Sequence, residues 1–290
     1  MWLRALRVRH WAKNLLVFLP LVGLGLETSL EQVVSAVLGF FSLSLAASSV
    51  YLLNDVADKN HDRDHPQKRL RPVATGQISG SRAVGVGAVL AVAAVAVSFI
   101  VSWRLAVVIA LYGVGALVYG ALAKRLIALD VVVLAGLFLV RIYAGSVATE
   151  VPVSHWLLAT AFFAFYGLAS AKRVVEIQNM GLGPAGASGA AIPGRAYRFA
   201  DRESVQMLGI IGSFSSVILL TLFIDDRLPA GVASFQMAWL GVFVWVVWVS
   251  RFWILISRGA VSHDPIEFVT KDWASVLSAV SIAVIFLVFG

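Results

Sequence analysis

The chain has 290 residues, of which 60% are hydrophobic and 13% charged, with a formal net charge of +7 and a mean hydropathy of +0.88. That composition excludes an ordinary soluble domain and specifies a polytopic membrane protein. Cysteine is absent and the five histidines form no HExxH motif, which excludes disulfides and thiol nucleophiles and leaves a zinc site without support.

Nine apolar stretches can be marked, at about residues 11–26, 32–53, 83–102, 105–122, 127–149, 154–171, 204–224, 232–257 and 273–289. Most reach the roughly 20 residues needed to cross the hydrocarbon core. The first is short and flanked by arginines, but no small-residue cleavage site follows it, so a retained, tilted helix is expected. RHWAKN at its start places His10, Lys13 and Asn14 at interfacial depth, where snorkelling cations are ordinary and a lipid phosphate would also sit.

The second stretch runs into NDVADKNHDRDHPQKRLRP, residues 54–72, with four aspartates and five basic side chains. A carboxylate in a span costs roughly 2.5–3.5 kcal/mol, so such a cluster is a functional-site hypothesis. On one continuous helix Asn54, Asp55, Asp58 and Asp62 would share an arc of about a quarter turn. Carboxylates grouped in this way suit a hard divalent cation, Mg²⁺ in particular, shared with substrate phosphate. Beyond Pro66, which should end the helix, Lys68, Arg69 and Arg71 supply positive charge that can grip phosphate. Metal and cations together suggest a diphosphate; a basic loop that only orients the protein would explain the arginines but not the aspartates in register.

In the fifth stretch Arg141 lies eleven residues after Asp130 on nearly the same face. At 1.5 Å per residue the two stand about 16 Å apart, so Arg141 needs either a structural partner or an anionic ligand. The sixth stretch continues as SAKRVVEIQN, where Lys172, Arg173 and Glu176 share a face. A helix-end positive cluster with a Lys172–Glu176 pair is the plain reading, and a second anion-binding group is the functional one. GLGPAG, residues 181–186, matches GxGxxG but follows no strand and contains a proline, so it is not a dinucleotide fingerprint. Residues 177–200 read as a passive linker or a flap over the cytoplasmic mouth. The loop SHDPIEFVTKDW, with His263, Asp264, Glu267, Lys271 and Asp272, reads as surface.

Placing the N-terminus inside puts 20 of the 23 lysines and arginines on the cytoplasmic side. The aspartate motif then opens to the cytoplasm, and a basic balance distributed in this way gives no case for nucleic-acid binding.

These residues resemble the UbiA superfamily of intramembrane prenyltransferases, whose first motif has the form NDxxDxxxD, here Asn54, Asp55, Asp58 and Asp62. The resemblance covers essentially the whole chain. It implies a single all-α membrane domain, residues 1–290, of nine transmembrane helices around a cytoplasm-facing cavity, in a bacterial inner membrane. Within the superfamily the chain is more similar to the decaprenyl-phosphate phosphoribosyltransferase branch, through DRxHPxKRxRPxAxG after the first motif, WxKN at Lys13, RxxAG at Arg141 and KRxxE at Lys172, Arg173 and Glu176. Aromatic prenyltransferases of the superfamily carry a second aspartate-rich motif after the sixth helix, where this chain has KRVVEIQNMG.

That resemblance implies Mg²⁺-dependent transfer of a 5-phosphoribosyl group from phosphoribosyl pyrophosphate to a polyprenyl phosphate. It implies Asp55, Asp58 and Asp62 as metal ligands and catalytic residues, and Lys13, Asn14, Asn54, Arg63, Lys68, Arg69, Arg71, Arg141, Lys172, Arg173 and Glu176 as substrate-binding residues. The alternatives are a polyprenyl-diphosphate aromatic prenyltransferase and, from another class, a lipid-phosphate transporter or binding protein. Prenyl chain length and oligomeric state are not legible in the sequence.

Overall fold

A computed structural model of the protein describes residues 1–22, 27–64, 68–181, 195–227, 233–262 and 264–289. Among these residues the secondary structure is helical, with no strand. Seven helices are long and apolar enough to span a membrane, or eight if a bent pair near the C-terminus counts as one span. The expected count of nine is therefore not reached among the described residues. The difference lies at the N-terminus: after a short α1 (Trp2–Ala5), residues Val8–Phe18 form a 3₁₀ helix, and α2 (Leu19–Val22) is a single turn.

Two compact units divide the contacts, the first formed by residues 1–21, 27–121 and 140–152, the second by 22–26, 122–139 and 153–290. In the first, α3 (Leu30–Ala57) starts at Ser29, whose hydroxyl accepts from the Gln32 N–H at 3.2 Å while the Gln32 side chain accepts from the Ser29 N–H at 2.9 Å. This reciprocal cap satisfies two N–H groups that the first turn leaves open. α3 packs against α5 (Gly80–Val101) and α6 (Trp103–Ala121). Small residues allow close approach: the Ser49 hydroxyl donates to the Gly87 carbonyl at 2.7 Å, the kind of contact that holds helices together where lipid removes a hydrophobic drive. The chain reverses between α5 and α6 at Ser102, which is extended (φ −167°) and accepts from the Leu105 N–H at 3.1 Å.

α7 (Leu129–Thr149) contributes its first eleven residues to the second unit and the remainder to the first. In the first unit, a Cβ on Gly145 would stand 2.1 Å from the Val17 carbonyl oxygen. The 3₁₀ segment is therefore seated directly on helix backbone, which a glycine alone permits.

In the second unit α8 (His155–Gly181) pairs with α9 (Arg202–Arg227), and α10 (Ala233–Ser257) packs on α9 and α12 (Trp273–Phe289). Three tryptophans of α10 place their indole N–H groups on serines: Trp245 on Ser216, Trp253 on Ser213 and Trp248 on Ser275, each at 2.9 Å. A buried indole needs such an acceptor. α11 (Pro265–Lys271) meets α12 at a 75° bend; it starts at Asp264, whose carboxylate accepts from the Ile266 N–H at 3.0 Å. Large apolar side chains such as Ile100, Leu111 and Phe243 are exposed, as lipid-facing positions should be.

The 182–194 part of the expected linker or flap, including most of GLGPAG, lies outside the described residues, as do His65, Pro66, Gln67 and His263.

Candidate functional site

The motif helix does not continue unbroken through the aspartates. α3 ends at Ala57, Asp58 adopts φ −89° and ψ 4°, and α4 (Lys59–Asp64) begins immediately after it. Helical hydrogen bonds still flank the break, from the Asp58 N–H to Asn54 at 2.8 Å and from the Asp62 N–H to Asp58 at 2.9 Å. α4 is described as far as Asp64.

Two of the three expected metal ligands converge. Asp55 and Asp62 are each 2% exposed, and one nitrogen, Nη1 of Arg71, lies 3.1 Å from Asp55 Oδ1 and 2.7 Å from Asp62 Oδ2. Two carboxylates within reach of one point fit the demand of Mg²⁺, which takes one or two carboxylates beside substrate phosphate. No set of three acidic or histidine side chains placed to hold a metal occurs among the described residues.

Arg71 is held by its surroundings. The loop after it folds back through bonds from the Thr75 N–H to the Arg71 carbonyl at 3.0 Å and from the Ile78 N–H to Pro72 at 3.0 Å. Gly76 takes the left-handed conformation (φ 80°) that closes this loop. Val73 and Ile78 bury themselves with Leu52, Ala83 and Ala5, so apolar packing anchors the loop to α3 and to the N-terminal turn. Arg63 donates to the Ala74 carbonyl at 3.2 Å and so braces the same loop. Lys68 and Arg69 are exposed on a single 3₁₀ turn.

Asn54 rests against α6 where the side chain of residue 120 would be. A Cβ on Gly120 would meet the Asn54 amide at 2.7 Å.

Sequence reasoning missed Arg7. Its Nη2 stands 2.5 Å from Asp55 Oδ1 and its guanidinium carbon 4.7 Å from the centre of the Tyr51 ring. The N-terminal turn is fastened on α3 by the Trp11 indole on Ser48 at 3.1 Å and the Ser48 hydroxyl on the Leu6 carbonyl at 2.9 Å. In the sequence Arg7 is one of several N-terminal arginines, and nothing local separates it from Arg4 or Arg9.

Arg141, Asn14 and Lys13 were expected at substrate. Arg141 is 6% exposed, donates to Asn14 Oδ1 at 2.9 Å and to the Tyr112 hydroxyl at 2.8 Å, and Asn14 donates to Ser44 at 3.0 Å. Arg141 thus has internal hydrogen-bond partners, and both polar ends of Asn14 are taken up in the same buried chain. Lys13, beside them, is half-buried.

In the second unit, Arg173 is 0% exposed and forms ion pairs with Asp130, at 2.8 Å, and with Glu176. The approach to Asp130 is close without N–H alignment, so the contact is mainly Coulombic. Tyr197 donates to the other Asp130 oxygen at 2.6 Å and accepts from the N–H of Ala128 at 3.0 Å, a left-handed residue with φ 64°. Burial and the bond to Asp130 push the Tyr197 phenol well above its ordinary value. Arg195 completes the group 3.5 Å from Glu176, so two cations and two carboxylates balance, as buried charge requires. Arg173 and Glu176, both expected at substrate, are here engaged with each other. Glu176 pairs three residues back rather than with Lys172. Lys172 instead reaches Asp264 at 3.5 Å and keeps 29% of its side chain exposed.

A family model described as the UbiA prenyltransferase family matches residues 16–263. The chain is 30% identical to the nodulation protein NoeC of Azorhizobium caulinodans over 98% of its own length and 92% of that protein. It is 39% identical to a decaprenyl-phosphate phosphoribosyltransferase of Mycolicibacterium smegmatis over 61% of its own length and 57% of that protein. It spans only 53% of another curated relative, to which 94% of this chain aligns. A solved UbiA homolog from Archaeoglobus fulgidus, bound to DMAPP and Mg²⁺, superposes with a TM-score of 0.74 over 99% of both chains at 18% identity, a likeness of fold. On the extent of the family match, together with this fold, the chain belongs to the UbiA prenyltransferase family.

Proposed function

We propose that the protein transfers the 5-phosphoribosyl group of phosphoribosyl pyrophosphate to a polyprenyl monophosphate on the cytoplasmic side of a bacterial membrane. The observation that carries this reading is the convergence of buried Asp55 and Asp62 on Arg71, inside the extended motif shared with the phosphoribosyltransferase branch. The 39% identity to the Mycolicibacterium protein supports the same donor.

In the transfer, the bond from the sugar C1 to the diphosphate oxygen breaks and a bond from C1 to an oxygen of the lipid phosphate forms. Pyrophosphate leaves with the bonding electrons. Mg²⁺, when bound at the carboxylates, would supply charge neutralisation of that leaving group. Asp55 and Asp62 would hold the ion, with Asp58 as the third member of the motif and Asn54 orienting its neighbours. Lys68, Arg69 and Arg71 bind donor phosphate, and fixing the donor lowers the entropic cost of alignment. Lys172 is assigned to an anionic group of the substrates on its exposure and on the KRxxE motif. The acceptor phosphate is already an anion, so no general base is needed.

A second reading, polyprenyl-diphosphate aromatic prenyl transfer, draws on the fold neighbour bound to DMAPP and Mg²⁺. KRVVEIQNMG in place of a second aspartate-rich motif opposes it. The test offers purified protein radiolabelled phosphoribosyl pyrophosphate with polyprenyl phosphate, and separately polyprenyl diphosphate with 4-hydroxybenzoate. Labelled lipid from the first pair is expected; product from the second pair alone would overturn the assignment.

A further inference from the structure

Asp55 Oδ1 receives two guanidinium groups, Arg7 at 2.5 Å and Arg71 at 3.1 Å. Together with Asp62 they make a quartet of two carboxylates and two cations. The carboxylates are buried, while the arginine side chains remain 22% and 27% exposed. Buried carboxylates stay ionised when charge and hydrogen bonds balance them, and here the two arginines supply the same charge as one divalent ion.

A Mg²⁺ ion bonds oxygen at about 2.0–2.1 Å. An ion bound at Asp55 Oδ1 would compete for the lone pairs toward which two N–H groups already point, so metal and both guanidiniums cannot share that oxygen at these distances. Arg71 is anchored by the packed loop that follows it, whereas Arg7 stands on the short N-terminal turn and lines a concavity of about 720 Å³ together with Arg4, Arg9 and His10. Arg7 has space to turn into. Its backbone is left-handed (φ 52°), a conformation that is strained for a non-glycine residue and recurs in segments that switch.

We propose that Arg7 exchanges partners: it neutralises Asp55 in the metal-free protein, yields that oxygen to the entering divalent ion, and presents the released guanidinium to the donor's diphosphate. The inference rests on the metal-assisted reading above and adds a residue that the motif does not contain. The exchange makes metal and diphosphate binding mutually dependent, because the competitor for the first becomes a ligand for the second.

The experiment titrates Mn²⁺ into detergent-purified protein, followed by electron paramagnetic resonance, without donor or lipid, for wild type, Arg7→Lys and Arg7→Gln. Arg7→Gln should bind Mn²⁺ about tenfold more tightly, with Arg7→Lys between, since a charge-assisted contact competing with the metal has been removed. With inorganic pyrophosphate added, the mutual enhancement of Mn²⁺ and pyrophosphate binding in wild type should fall about tenfold in Arg7→Gln. Equal or weaker Mn²⁺ binding by Arg7→Gln would overturn the exchange.

A wild-type measurement covers failure of the variants to fold. Saturating Mn²⁺ should raise the phenylglyoxal labelling rate of Arg7 at least about threefold, with Arg4 and Arg9 as internal references. An unchanged rate also overturns the proposal. Formation of phosphoribosyl lipid with unaltered Mn²⁺ affinity in Arg7→Gln would defeat the exchange alone. The predicted Mn²⁺ behaviour without phosphoribosyl lipid would defeat the donor assignment alone.

Discussion

The guanidinium of Arg173 stands 2.8 Å from the carboxylate of Asp130, and neither side chain exposes any surface. Removing one partner of such a pair leaves an uncompensated buried charge at a cost of roughly 3–5 kcal/mol. Arg173→Ala should therefore lower the yield and melting temperature of the purified protein, a failure of folding rather than of substrate binding. Lys172→Ala, whose side chain is partly exposed, should keep the melting temperature within about 2 °C while kcat/KM falls ten- to a hundredfold. Thermal unfolding in detergent beside steady-state kinetics separates the two. A stable, well-folded Arg173→Ala with a raised KM would contradict the structural role.

Glycine spacing offers a second contrast. Gly145→Ala would drive its Cβ against the Val17 backbone carbonyl, and backbone cannot swing aside, so a loss of about 1–3 kcal/mol is expected. Gly120→Ala meets only the Asn54 amide, which can rotate. That variant should stay folded yet lose roughly tenfold in kcat as Asn54 is displaced from the motif. Full activity in Gly120→Ala would remove Asn54 from the working site.

Tyr197 supplies a pH dependence. Its phenol is favoured in the protonated, folded form, so its contribution is fully present below the unfolded tyrosine value of about 10 and is lost as pH rises toward the higher folded value. Tyr197→Phe should cost roughly 1–3 kcal/mol at neutral pH by stranding an Asp130 oxygen. The gap between wild type and variant should narrow above pH ~10. Melting curves of the two proteins from pH 7 to 11 would show it; a constant gap would refute the linkage.

Orientation can be tested cleanly because the chain has no cysteine. A single cysteine at the exposed Thr75 should react with an impermeant maleimide only in inverted vesicles, and one at the exposed Arg104 only in intact spheroplasts. The reverse pattern would invert the topology and place the aspartate motif outside the cytoplasm.

Membrane insertion, the all-helical class and the position of the aspartate motif after the second apolar stretch were all decided by the sequence, because hydropathy and charge act locally on each segment. The need to satisfy every backbone group within lipid leaves helices as the economical solution for such stretches. Ser29, Ser79 and Asp264 likewise cap helices through bonds spanning only two or three residues. The aspartates themselves were legible through their spacing, but their convergence was not. α3 ends one residue before Asp58, and Asp55 and Asp62 gather about Arg71, which lies beyond the motif helices. The partners decided only by tertiary structure are distant in the chain: Arg7 with Asp55, Asn14 with Arg141, and Asp130 with Arg173 and Tyr197. No periodicity links positions 48 or 127 residues apart. Which buried charge neutralises which is settled by packing, since an ion pair forms where helices bring opposite charges together and exclude water from both.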